Sequence, residues 1–219
     1  MPISVVTPAS QTDFTTVTRA VEELGISYEE AAQNRTLLRR LISRASDTIR
    51  TCTDREFAQE KVEESLTVIT PSPRLILTRS PLVTIHTVEY DGQTIDAGEY
   101  MIENADSGFL YLKEGRTWSS TSLTGGLYEP RRTRYGRYEI KATYTGGYQM
   151  PTDSSAGTLP ADLERAAIEL VASYFHSRAI NPNITRERIG EASVSYTDSG
   201  PGGIPVTAHS IIEKYRRIE

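Results

Sequence analysis

Apolar side chains between residues 161 and 179 fall at Leu163, Ala166, Ala167, Leu170, Val171, Tyr174 and Phe175, the positions i, i+3, i+4, i+7, i+8, i+11 and i+12. That spacing draws one continuous apolar stripe along a helix of about 28 Å. Pro160 near its start and Asn181-Pro182 beyond its end bracket it. A second stripe, at Ala31, Leu38, Leu41, Ile42, Ala45, Ile49 and Cys52, predicts one long amphipathic helix over 28–51. Arg35, Arg39, Arg40, Arg44 and Arg50 occupy its other faces, and Glu29 and Glu30 sit in its first turn, where the helix dipole favours acids. A shorter helix over 15–24 is stopped by Gly25. Each long stripe needs cover, so the helices over 28–51 and 161–179 are expected to pack on each other, Leu163, Ala167, Leu170, Val171 and Phe175 against Leu38, Leu41, Ala45 and Ile49.

Between those helices the period changes. Short β-rich runs at 66–69, 74–77 and 83–90 are punctuated by Pro71, Pro73 and Pro81. Asp91-Gly92 suits a tight hairpin turn, and Ser107-Gly108 turns residues 100–102 back against 109–112. Tyr138, Ile140, Ala142 and Tyr144 alternate with Glu139, Lys141, Thr143 and Thr145, the period of a half-buried strand, which Gly146-Gly147 closes. The expected fold class is therefore α+β, a helical bundle core with an inserted small antiparallel β unit. Its parts are an N-terminal arm (1–12), a helical core (13–59 and 159–198), the β insertion (60–150), and a hinge with a C-terminal helical arm (199–219).

The hinge follows from composition: Ser199-Gly200-Pro201-Gly202-Gly203-Ile204-Pro205 combines flexible glycines with prolines that block helix and sheet. Beyond it Ile211, Ile212, Tyr215 and Ile218 share one face of a helix too short to hold alone in water. That face either docks on the chain's own helices or anchors the arm to a partner. In the second case, the reading preferred from sequence, Ile211, Ile212 and Tyr215 are apolar anchors, and Lys214, Arg216 and Arg217 pair with acidic groups.

Composition narrows the classes. Leu, Ile, Val and Phe make up 48 of 219 residues, while Thr occurs 26 times and Tyr 12 times, which suits strand surfaces and half-wet contacts more than a deep core. The single cysteine excludes an internal disulfide framework and a multi-cysteine zinc site. No apolar run has a bilayer-spanning length, and the start lacks a signal peptide's basic and apolar segments, so synthesis in a cytoplasm is expected. Net charge is −5, so the whole chain is not a basic nucleic-acid clamp. Twenty of its 24 basic residues are Arg, the side chain suited to interfaces and bidentate pairing.

Signals for chemistry are close to absent. Gly200-Pro201-Gly202-Gly203 lacks the spacing and the Lys-Ser/Thr of a phosphate loop, and no Gly-x-Ser-x-Gly elbow occurs. His86, His176 and His209 lie in three different predicted elements, and Cys52 reads as a small buried hydrophobe. No catalytic, cofactor-binding or metal-ligating residue is assigned, and no cofactor is expected. One charged cluster stands out: Arg131, Arg132, Arg134 and Arg137 interleaved with Tyr135 and Tyr138. It fits a solvated loop, a protein contact, or a surface that tracks phosphates and stacks bases.

Motif order adds to this. Leu77-Thr78-Arg79-Ser80-Pro81-Leu82-Val83-Thr84-Ile85 runs into Val88 and the Asp-Gly turn, and Ile140-Lys141-Ala142-Thr143-Tyr144-Thr145-Gly146-Gly147-Tyr148 follows. Then come Leu159-Pro160-Ala161-Asp162-Leu163-Glu164-Arg165-Ala166-Ala167-Ile168-Glu169-Leu170 and Ile189-Gly190-Glu191-Ala192-Ser193-Val194-Ser195-Tyr196. This succession resembles the head-tail adaptor proteins of tailed phages, also called connector or head-completion proteins. The resemblance implies a non-enzymatic virion protein at the head-tail junction, assembled in the host cytoplasm. It implies a homo-oligomeric ring, a dodecamer, that docks under the portal protein, extends the channel through which genomic DNA passes without sequence-specific binding, and receives the downstream neck or tail-completion protein. It carries over no catalytic residues. Another neck or tail-completion protein, or a nucleic-acid-binding module resting on Arg131–Arg137, remains the alternative.

Overall fold

The computed structural model describes residues 3–68, 72–90, 92–114, 116–118, 138–178, 186–189, 192–195 and 203–217. They build a mixed α and β structure with antiparallel sheets, and the chain divides into two compact units. One, Met1–Ser10 with Glu56–Tyr148, holds a five-stranded and a three-stranded sheet; the other, Gln11–Arg55 with Gln149–Glu219, holds the helices and a two-stranded sheet.

The β unit contains β1 (Ile3–Thr7), β2 (Glu60–Val68), β3 (Arg74–Ile76), β4 (Leu82–Tyr90), β5 (Gln93–Thr94), β6 (Tyr100–Asn104), β7 (Phe109–Leu112) and β8 (Tyr138–Gly146). One antiparallel sheet has the order β1-β2-β8-β4-β5, and a second has β3-β7-β6. The period of two dictates the register: Val62 stands opposite Tyr144 and Leu66 opposite Ile140, so the inward phase of β2 meets that of β8. On the other side of β8, β4 brings Ile85, Val88 and Tyr90 to Tyr144, Ala142 and Ile140. These residues share one apolar cluster with Leu75, Leu110, Leu112 and Trp118. Full burial of a leucine in such a cluster stabilises by about 1.5–3 kcal/mol.

The expected N-terminal arm is corrected in part. Ile3, Val5, Val6 and Thr7 are β-branched, and the segment pairs antiparallel with β2, Ile3 opposite Glu64. Gly146 and Gly147 end β8 for steric reasons. A Cβ on Gly146 would collide with the Arg79 carbonyl oxygen, and one on Gly147, where φ is 103°, would collide with that of Ala58.

The helical unit contains α1 (Val17–Leu24), α2 (Tyr28–Gln33), α3 (Arg35–Thr53), α4 (Ala161–Ser177) and α5 (Val206–Tyr215). Thr16 caps the start of α1 by accepting from the Arg19 N–H, and Gly25 ends it in the left-handed conformation. The single helix expected over 28–51 is two helices. At Asn34 the side-chain amide donates to the Glu30 carbonyl at 2.9 Å, and the backbone leaves helical geometry before α3 begins.

Leu38, Leu41, Ile42, Ala45 and Ile49 of α3 and Leu163, Ala166, Ala167, Leu170, Val171 and Phe175 of α4 are buried, and the two helices are in contact. Tyr174 is half-buried, as is Cys52, which the sequence pattern places in the interior. Phe14, also buried, precedes α1, and its N–H donates to the buried Ser46 Oγ at 3.0 Å. Arg19 Nη1 reaches both carboxylate oxygens of Glu164 at 2.9 Å, tying α1 to α4. The segment expected to continue the helical core to residue 198 instead holds β9 (Arg186–Ile189) paired antiparallel with β10 (Ala192–Ser195). The alternation of Ala192 and Val194 with Ser193 and Ser195 is strand-like, and this explains the difference.

Candidate assembly interface

The sequence-predicted anchors on α5 are drawn into the chain's own packing. Ala208 and Ile212 lie one turn apart and are buried, Ile212 to 1% exposure, where α5 meets α3 and α4. Tyr215 Oη donates to Asp162 Oδ1 at 2.7 Å, and Lys214 Nζ to Asp162 Oδ2 at 2.9 Å. The Arg217 N–H donates to the Thr53 carbonyl at 2.9 Å. Burial raises the Asp162 carboxyl, but the Lys214 and Tyr215 hydrogen bonds outweigh it and hold the group below the ordinary aspartate value. The arm expected to stand off the core is thus corrected to a docked helix. Its apolar face finds cover on α3 and α4, and Ile204 of the expected hinge is itself buried. Ile211 is half-buried; Arg216 and Arg217 remain exposed, Arg216 Nη1 lying 3.6 Å from Glu213. Arg131, Arg132, Arg134 and Tyr135 lie outside the described residues.

In the β unit a polar network was missed by sequence reasoning. Glu64 is fully buried, and it accepts from the Tyr144 hydroxyl at 2.6 Å, the Thr78 N–H at 3.0 Å and the Thr78 hydroxyl. The Tyr144 oxygen accepts from the Arg79 N–H at 2.9 Å, and Arg79 Nη2 pairs with Glu60 Oε2 at 2.8 Å. Desolvation first, and the Glu64 charge second, push the Tyr144 phenol far above its ordinary value. A phenol held protonated against a carboxylate with its donors in place fixes a loop rather than moving protons. Here it fixes the Thr78–Arg79 segment. The signal was legible, because Glu64 lies in phase with the inward-facing Val62 and Leu66.

In the helical unit an open cleft of about 640 Å³ is lined by residues that include Asp13, Thr16, Arg35, Arg39 and Asp153. Burial raises the Asp13 carboxyl despite a 3.3 Å hydrogen bond from Ser43, whereas the Thr16 and Thr18 hydroxyls lower that of Asp153. Among the described residues no group of three or more His, Cys, Asp or Glu converges as a metal site would require.

The decisive comparison is at the level of family. Residues 13–218 match the head completion protein family. The chain belongs to that family. As a head completion protein it is a structural component of the virion at the head-tail junction. Among solved structures, it is similar to a chain from the neck of an empty gene transfer agent (GTA) particle with C6 symmetry, at 18% identity and a TM-score of 0.58. It is also similar to a chain of the native GTA virion (19%, 0.53) and to one from the native GTA neck with C12 symmetry (17%, 0.51). Each alignment covers 100% of this chain and 97% of the other. No curated protein matches.

For a head completion protein the relevant chemistry is surface contact. β1 is an edge strand whose five residues are all exposed, with Val5 at 47% and Val6 at 52%. Val83 on β4, Ile76 on β3 and Met101 on β6 are exposed apolar side chains of the same unit. In the helical unit Tyr28 stands 80% exposed at the start of α2. Uncovered apolar groups on a strand edge invite pairing with another chain.

Proposed function

We propose that this head completion protein works as a connector ring, without catalysis and without a cofactor. Twelve copies form a homo-oligomeric collar that docks beneath the portal protein and receives the downstream neck or tail-completion protein. Genomic DNA passes through its lumen, and a ring whose subunits each carry −5 suits passage without sticking. In this reading the helical unit is a bundle core, and the β unit is built from the segment between α3 and α4 together with β1. The family match over residues 13–218, which spans both units, carries the reading. Similarity in fold to chains of C6 and C12 GTA necks supports a ring of that order.

The experiment is electron microscopy of the purified chain with and without purified portal rings. The proposal predicts an added ring of density on one face of the portal. Portal rings that stay bare at micromolar chain would refute it.

A further inference from the structure

In the helical unit, charges on α1 and α3 are distributed against the helices that carry them. Arg35 opens α3, and Arg39 and Arg40 follow one turn later, although a helix start is its positive end. No acidic residue stands in the first turn of α3, and Asn34 supplies no side-chain cap. Glu22 and Glu23 lie in the last turn of α1, the negative end, with no basic residue there. Arg35 acts electrostatically on Asp153, and the Arg44 guanidinium lies 4.4 Å from the centre of the Tyr174 ring. Arg39 and Arg40 are exposed and have no ion pair among the described residues; the same holds for Glu22 and Glu23.

The acidic partner surface is concave. A cleft of about 470 Å³ is lined by Glu23, Ala161, Glu164, Arg165, Ile168 and Glu169. Glu164 is held by Arg19, and Glu169 by Arg165 and the Thr207 hydroxyl. Glu23 is the carboxylate of the cleft left for an incoming cation, and Glu22, its exposed neighbour in sequence, lies outside the lining. Ala161 and Ile168 offer an apolar floor for the methylenes of a long basic side chain.

We infer that Arg39 and Arg40 of one copy dock on the acidic end of α1 of a second copy of this chain, against Glu22 and the cleft that Glu23 lines. Every copy carries both halves, and a contact between two different patches is the head-to-tail kind that closes a ring. Arginine suits the role because its guanidinium pairs bidentately with a carboxylate. DNA is the weaker occupant for this face, since the chain's net charge of −5 repels a polyanion. The inference rests on the ring assembly proposed above and names one contact that holds it.

The test uses full-length chains supplied to particles in place of the wild type, with the number of copies per neck as the readout. Arg39→Glu/Arg40→Glu alone and Glu22→Arg/Glu23→Arg alone should each lower incorporation at least about tenfold, a shift of about 1.4 kcal/mol per contact. Their melting temperatures should not fall, because these side chains are exposed and the reversed charges suit the helix ends that carry them. Supplied together, the two variants should restore incorporation, since each offers the surface the other lacks. Normal incorporation of either variant alone, or no restoration by the mixture, overturns the inference. A full ring of Arg39→Glu/Arg40→Glu chains that retains DNA poorly assigns the face to DNA and also overturns it. Absence of the wild-type chain from the neck would instead refute the connector function itself.

Discussion

Tyr144 donates a 2.6 Å hydrogen bond to Glu64, and both side chains are fully buried. The carboxylate sits in an apolar cluster, so every donor that reaches it compensates part of its desolvation. Tyr144→Phe removes one donor to Glu64 and one acceptor from the Arg79 N–H. It should cost about 2 kcal/mol. For a chain of this size that lowers the melting temperature by roughly 4–8 °C. A thermal melt within 1 °C of wild type would show that the network contributes nothing.

The packing of α3 on α4 predicts a larger loss at Leu170, which is fully buried. Leu170→Asp places an unpaired carboxylate there and should cost several kcal/mol, much of a marginal stability. Circular dichroism during chemical denaturation measures it, and an unchanged midpoint contradicts the assignment.

Docking of α5 predicts both a mutational and a pH effect. Ile212→Ala should cost about 2–4 kcal/mol and expose residues 206–215 to amide exchange. Asp162 has its pKa lowered in the folded chain, so its share of stability is present above the unfolded value of about 3.9 and is lost as pH falls through the lower folded value. Protection of α5 should therefore weaken below about pH 4 in the wild type. Asp162→Asn should lower that protection at neutral pH by about 1 kcal/mol and flatten the acid dependence. Acid weakening of equal size in both proteins would assign it elsewhere.

Gly147 combines a φ of 103° with a backbone oxygen where a Cβ would sit. Gly147→Ala should cost about 1–3 kcal/mol. A stable Gly147→Ala protein with native-like β-sheet spectra would mean that the close approach to Ala58 relaxes without penalty.

The legible parts of the fold were those where one face is wet and the other dry. The stripe of α4 and the alternation of β8 follow directly from such faces. β1 escaped notice because it is exposed on both faces and its burial imposes no alternation. The break at Asn34 depends on a side-chain amide competing for the Glu30 carbonyl, which periodicity does not register. An amphipathic α5 has the same pattern whether its own chain or a partner covers it, and only the burial of Ile212 distinguishes the two. The surface function was legible through motif order, whereas the cleft lined by Glu23 joins α1 to α4, helices distant in sequence.

The central claim is a ring of copies at the head-tail junction, and symmetry-averaged electron cryo-microscopy of the neck of intact particles tests it most directly. The account predicts a collar of twelve equivalent densities between portal and tail, each fitted by this chain's helical unit and, separately, its β unit. A neck that contains this chain as a single copy, or no density that either unit fits, would contradict it.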